Sequence, residues 1–252
     1  MRLYSTAPKA NIRMQDDDSL RQALLTLYRQ KPITHVLETG TNIGLGSTKF
    51  IAETLGSQNA PPHQFVTIEA NHNSWRQAKE NLKPFPWVNP LWGLSTSREE
   101  ALRFIGSDPV LLDHRKYPNV YIDDVDDPVG FYSNEIAGRL GGGTRNPIEK
   151  MREIADRPRF YAGEGLLEKW LEALRSYEPL IVLDSAGGVG YLEFNTVLRV
   201  MAKHPFLMLL DDICHLKHFR SYQDIYNDER FAVVGESKEA GWLLARYQTA
   251  TS

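Results

Sequence analysis

The sequence has a single cysteine, Cys214, among 252 residues. No disulfide can therefore form within the chain, and the expected compartment is a reducing one, the cytoplasm. No apolar run approaches the roughly 20 residues needed to cross a bilayer. The opening Met1-Arg-Leu-Tyr-Ser5 also lacks the apolar core of a secretory signal, so no membrane partner is expected. Charge of either sign is barely in excess, with 29 Lys and Arg against 32 Asp and Glu and a net charge of −3. That balance gives no general attraction to phosphate backbones, and nucleic acid is not an expected partner. Internal repeats and low-complexity tails are absent as well. What remains is 42% hydrophobic and 24% charged residues, an ordinary soluble composition with enough length for one α/β core. A homo-oligomer is compatible with it.

Apolar spacing predicts a helix over 19–30, capped by Asp18 or Ser19 and ended by Pro32, then a buried strand at 35–39 that stops at Gly40. A helix over 47–55, a strand at 65–69, a helix over 74–82, a strand at 90–95 and a helix over 97–106 come next. This alternation is the rhythm of a doubly wound parallel sheet. It breaks over 107–160, where Asp123-Asp-Val-Asp-Asp-Pro128 and Gly141-Gly-Gly143 show no periodicity, and a stretch of that kind reads as an inserted lid. The rhythm resumes with a helix over 165–177 and a strand at 180–184. A helix over 191–204, buried through Leu192, Val197, Leu198 and Met201, leads to a strand at 206–211 and a helix over 215–226. Only five residues separate the last strands, 231–235 and 241–247. That is too few for a parallel crossover, so they pair antiparallel. The expected fold is α/β, a doubly wound, mostly parallel, seven-stranded Rossmann-like sheet ending in an antiparallel hairpin. It forms a single domain over 1–252, with an N-terminal helical segment at 1–31 and a substrate or lid insertion near 107–160.

The strongest chemical signal is Leu37-Glu-Thr-Gly-Thr-Asn-Ile-Gly-Leu-Gly46. Gly40 lets the chain leave the strand tightly, and Gly44 and Gly46 let a ligand approach the backbone. Free N–H groups of the helix beginning at Ser47 face that ligand, with Thr41 and Asn42 beside it. The dinucleotide fingerprint is Gly-x-Gly-x-x-Gly, whereas here Gly-x-x-x-Gly-x-Gly follows an acid, Glu38. An acid at that point repels a pyrophosphate and suits a cation such as the sulfonium and amino group of S-adenosylmethionine (SAM). Glu69, at the end of the second strand, is placed to accept ribose hydroxyls. Asn71 and Ser95 are candidates for contacts to the adenosine.

Asp184 ends the fourth strand, and Asp211 and Asp212 end the fifth. Three carboxylates converging on one crevice repel one another, and a hard divalent cation such as Mg²⁺ resolves the repulsion. The competing reading makes one of them a helix cap and pairs another with Lys217 or Arg220. His215 and His218 follow at the start of the next helix as candidate general bases. His114 and Tyr161 are more remote candidates, and Cys214 reads as a packing residue.

These residues resemble the class I SAM-dependent methyltransferases. The segment 37–46 is similar to that family's first motif and Glu69 to its ribose-binding acid, over nearly the whole chain apart from 107–160. Within the class, Leu183-Asp184 and Leu210-Asp-Asp212 resemble metal-dependent small-molecule O-methyltransferases of the catechol and macrolide-sugar types. The resemblance implies SAM as cofactor, with Asp184 also beside it. It further implies Mg²⁺ or another divalent cation on Asp184, Asp211 and Asp212, and a hydroxylated small molecule as acceptor. One departure is that the catechol type's lysine, three residues after the strand-four aspartate, is Gly187 here. The rival readings are a metal-independent N-methyltransferase, an NAD-binding oxidoreductase and a non-catalytic SAM-fold protein.

Overall fold

A computed structural model describes residues 13–58, 60–124, 126–137, 163–185 and 188–249. Seven strands, β1 (His35–Thr39), β2 (Gln64–Glu69), β3 (Val88–Trp92), β4 (Leu180–Leu183), β5 (Phe206–Leu210), β6 (Phe231–Ser237) and β7 (Trp242–Tyr247), form one sheet in the order β3-β2-β1-β4-β5-β7-β6. Pairs from β3 to β5 are parallel, and β7 runs antiparallel to β5 and β6. The strand order reverses between β1 and β4, so successive connections leave on opposite faces and a crevice opens at the carboxyl ends of those strands.

The helices are α1 (Asp18–Gln30), α2 (Ser47–Gly56), α3 (His72–Asn81), α4 (Arg98–Ser107), α5 (Pro109–Leu112), α6 (Pro128–Ile136), α7 (Leu166–Leu174), α8 (Gly190–Val200) and α9 (Phe219–Asn227). Side chains alternate across each strand. Val36 and Val182 meet Leu20, Leu24 and Ile51 on the α1–α2 face, whereas Leu37, Ile181 and Leu183 meet Leu171, Phe194 and Val197 on the other. Each buried leucine contributes about 2 kcal/mol. Among the described residues, no helix is long and apolar enough to cross a membrane.

Local corrections have local causes. Asp17, not Asp18 or Ser19, caps α1: Oδ1 accepts the Ser19 N–H at 2.8 Å and Oδ2 the Trp242 indole N–H at 2.9 Å, which ties α1 to β7. The strand expected at 90–95 lies at Val88–Trp92, because its register follows Phe65–Glu69 of β2. The helix expected from 215 begins at Phe219. Residues 213–218 instead turn, after Asp212 adopts φ +56° and the chain pairs with Tyr121: Tyr121 N–H donates to the Cys214 carbonyl at 3.0 Å and Leu216 N–H to the Tyr121 carbonyl at 2.9 Å. In α8 the buried stripe is Glu193, Phe194, Thr196, Val197 and Val200, with Leu192 and Leu198 only half-buried.

The described part of the insertion carries a core of its own. Val110, Leu111, Val120, Ile122, Tyr132 and Ile136 build a third core against Ala101 and Ile105 of α4 and against Val189 and Leu216. Alternation is absent there because short helical turns, not strands, supply the apolar groups. Residues 138–162, which include Gly141-Gly-Gly143 and Tyr161, lie outside the described residues, as does Gly187.

Candidate active site

The glycine turn is fixed by what it packs against. Gly40 has φ +90°, and a Cβ there would stand 2.1 Å from the Asp184 carbonyl oxygen, so no other residue fits between β1 and the chain leaving β4. At Gly46 a Cβ would meet only Gln15 Nε2, at 3.9 Å, among the described residues. That glycine leaves open space instead of filling a packing contact. The space is a cleft of about 420 Å³, and Gly40, Thr41, Asn42, Ser47, Asp184, Asp211 and Asp212 all line it. Arg13, Met14 and Gln15, just before α1, form its outer wall.

Glu38 does not line the cleft. It is fully buried beneath the turn, on the α2 face of β1. Ser47 Oγ lies 2.7 Å from Oε1, while Thr48 and Thr67 hydroxyls donate to Oε2 at 2.6 and 2.7 Å. Burial raises its pKa to about 7 against these hydrogen bonds. Ser47 Oγ is also 3.1 Å from Asp184 Oδ2. A hydroxyl has one proton, so a protonated Glu38 donates to Ser47 and frees Ser47 to donate to Asp184. Glu38 therefore holds the cleft wall in place from beneath and is not among the residues lining the cleft.

A second buried acid was not legible in the sequence. Glu193 is wholly buried on the opposite face, where Thr39 Oγ1 and Ser185 Oγ donate to Oε2 at 2.9 and 2.7 Å and burial pushes its pKa up. Its only sequence signal is a charge inside a helix's apolar stripe. Ser95, expected at the adenosine, lies against this carboxyl group.

Glu69 stands at the carboxyl end of β2, its Oε2 accepting the Asn42 N–H at 2.6 Å and its Oε1 the Asn71 N–H at 2.7 Å. Burial raises its pKa to about 7, against these backbone bonds. The carboxylate thus clamps the glycine turn to β2 with lone pairs remaining for a ligand. Asn71, a candidate for contact with adenosine, is an N-cap: its Oδ1 accepts the Asn73 and Ser74 N–H groups at 2.9 and 3.1 Å. Gly44 lies behind the cleft against Leu82 of the α3 end. Trp92 faces His72 and Trp75, with ring centroids 4.5 and 5.8 Å away, and forms an aromatic wall beside Glu69.

Across the crevice the three aspartates converge as expected, with one oxygen from each of Asp184, Asp211 and Asp212 within 4.8 Å of the others. They are not alone. Lys217 Nζ lies 2.9 Å from Asp184 Oδ1 and 2.9 Å from Asp212 Oδ2, on a side chain only 6% exposed. Burial opposes its charge, but Asp184, Asp212 and Asp211 outweigh burial and hold the lysine above its ordinary pKa. Burial raises Asp212, but Lys217 outweighs it and holds the carboxyl below its ordinary value, while burial and the Asp184 charge push Asp211 up. Removing one partner of a buried pair of this kind costs about 3–5 kcal/mol.

His215 and His218 occupy a loop, not a helix. His218 is fully buried, with Nδ1 3.3 Å from Ser221 Oγ, and burial together with Lys217 drives its pKa well down. It faces no substrate and leaves the set of candidate bases. His215 Nδ1 accepts the Lys217 N–H at 3.1 Å, which assigns the ring proton to Nε2, 3.1 Å from Asp123 Oδ2. Tyr132 OH donates to the same Oδ2 at 3.0 Å. Burial raises the Asp123 pKa, but the bonds from His215 and Tyr132 outweigh it and the net shift is down. With 39% of its side chain exposed, Asp123 is the more exposed member of the pair, and it lies in the stretch 107–160 that shows no periodicity. His114 sits in a short turn, His114–Lys116, off the cleft.

No protein-family model matches the sequence, and no curated protein matches it. In the solved structures the chain is similar, at 8% identity and a TM-score of 0.38, to a human methyltransferase 10 domain containing protein, over 92% of this chain and 82% of that one. The CurJ carbon methyltransferase is similar at 9% identity and a TM-score of 0.42, over 92% of this chain and 54% of that one. The precorrin 8W decarboxylase of Methanobacterium thermoautotrophicum is similar at 12% identity and a TM-score of 0.37, over 97% and 94%.

Proposed function

We propose that the chain is a SAM-dependent methyltransferase acting on a hydroxyl group of a small molecule. The observation that carries this reading is the cleft over Gly40–Ser47, open at Gly46 and walled by Asp184, Asp211 and Asp212. Among the described residues it is lined by backbone N–H groups and carboxylates, with Arg13 as the one cationic side chain, which suits a sulfonium and an amino group and disfavours a pyrophosphate. Glu69 would take the ribose hydroxyls, with the His72–Trp92 wall beside the base.

Bound there, SAM supplies an electrophilic methyl group on sulfur. The chain's own contribution is alignment and removal of the acceptor's proton. Asp123 Oδ1 would accept that proton, because Oδ2 is held by His215 and Tyr132. The acids Asp123, Asp124, Asp126 and Asp127, close together in the chain around that proton acceptor, would oppose phosphate-rich acceptors. The same acids would attract an amine, which keeps N-methylation as the second reading. Asp184, Asp211 and Asp212 are the residues a divalent cation would use, and the position of Lys217 among them bears directly on whether one does. Transfer of labelled methyl from SAM to a panel of polyols, phenols and amines tests the reading. Label on a hydroxylated acceptor supports it, label confined to amines selects the second reading, and no heat of SAM binding removes both.

A further inference from the structure

We infer that Lys217 stands where a divalent cation would otherwise sit, so that the triad of aspartates works without metal. Three observations carry this. The ammonium lies 2.9 Å from carboxylate oxygens at two neighbouring strand ends, Asp184 after β4 and Asp212 after β5. That is the ordinary span of an ammonium–carboxylate bond, whereas Mg²⁺ draws oxygens to about 2.1 Å.

The lysine is also built in. It follows a loop fixed to Tyr121 by two backbone hydrogen bonds, and at Gly190 a Cβ would stand 2.6 Å from Lys217 Cβ and 2.8 Å from its carbonyl oxygen. The start of α8 therefore leaves room for this backbone only through a glycine. Lastly, Asp212 takes φ +56°, a left-handed conformation tolerated by aspartate, and this orients its carboxylate onto the ammonium. A metal ligand set would have to expel a lysine that is only 5% exposed.

The assignment has a functional consequence. In a metal-dependent enzyme the cation both binds the acceptor's oxygens and neutralises the aspartates. Here the lysine does the second, spending two of its three N–H donors, and at most one is left to reach an acceptor oxygen. The acceptor then needs a single hydroxyl and not the vicinal pair that a metal chelates. Lys217 is a positioning residue in this account. The inference rests on the reading of the cleft as the transfer site, but its test is made without SAM and succeeds or fails separately.

The test is thermal unfolding of the wild type and K217A, each in EDTA and in millimolar Mn²⁺ or Mg²⁺. Manganese binding is read independently from loss of the free Mn²⁺ spin-resonance signal. The wild type is expected to show no shift and no loss of free Mn²⁺. K217A is expected to unfold at lower temperature in EDTA and to recover about 5 °C with Mn²⁺, as the ion enters the vacated place. Stoichiometric Mn²⁺ uptake by the wild type overturns the inference, and so does a folded K217A that ignores Mn²⁺. Should K217A give no folded protein, the wild-type titration decides alone, undiminished free Mn²⁺ supporting the assignment and uptake refuting it.

Discussion

The two sides of the crevice are held by different kinds of force. On the β1–β2 side the wall is backbone: a glycine turn pressed on Asp184, clamped to β2 by Glu69 through the Asn42 N–H, and propped from below by Glu38 and three hydroxyls. On the β4–β5 side it is polar side chains: Lys217 paired with Asp184 and Asp212, and His215, whose Nδ1 accepts the Lys217 backbone N–H, paired with Asp123. The first side is a rigid cradle whose shape does the selecting. The second is an electrostatic arrangement whose members set one another's protonation, and changing one resets the rest. The cradle is therefore expected to govern cofactor affinity and the charged side to govern turnover.

Substitutions can break that division. The largest effect is expected at Gly40, where G40V puts branched carbon into the Asp184 carbonyl at φ +90°; SAM affinity should fall by more than about 100-fold, equivalent to roughly 3 kcal/mol. Calorimetry reads the loss, with circular dichroism checking that the sheet survives. Next comes D123N, expected to lower kcat by about 100-fold as a lost proton acceptor while leaving the Kd for SAM unchanged. A D123N protein that loses SAM affinity instead would merge the two sides. E69Q should act the opposite way, raising the Kd for SAM about 10-fold through weaker hydrogen bonds to the ribose with kcat at saturation preserved.

The last effect is read in stability, not in binding or turnover, and is a pH dependence. Burial raises Glu38 to about 7 from an ordinary 4.5, so the folded state binds its proton more tightly than the unfolded chain does. Its contribution is fully favourable below the unfolded value and is lost as pH rises through about 7, on the order of 3 kcal/mol in all. E38Q should flatten that part of the stability profile. An unchanged slope between pH 4.5 and 7 would remove Glu38 from the account.

Legibility in the sequence divides along the same line. The cradle is local: Gly40, Asn42, Gly46 and Ser47 lie within one turn, and Glu69 ends the next strand, so spacing and strand order suffice to place them. The antiparallel pairing of the last two strands follows from their short connection. The charged side is assembled from residues far apart in the chain. Asp123 reaches His215 across 92 positions through pairing at Tyr121, and no periodicity announces a single isolated bridge. Lys217 was visible as a partner for an aspartate, but its burial between Asp184 and Asp212 depends on the left-handed turn at Asp212 and on the glycine at position 190. Glu38 was read as a ligand because its position in the motif was clear while its side of the strand was not. Strand alternation sends it under the turn, away from the cleft.

The measurement closest to the central claim is calorimetric titration of the wild-type chain with SAM in EDTA, repeated with E69Q. The account predicts saturable one-to-one binding in the absence of metal, weakened about 10-fold by E69Q. Absence of binding heat in EDTA that returns on adding Mg²⁺ would contradict the metal-free site, and absence of SAM binding under both conditions would contradict the reading of the cradle itself.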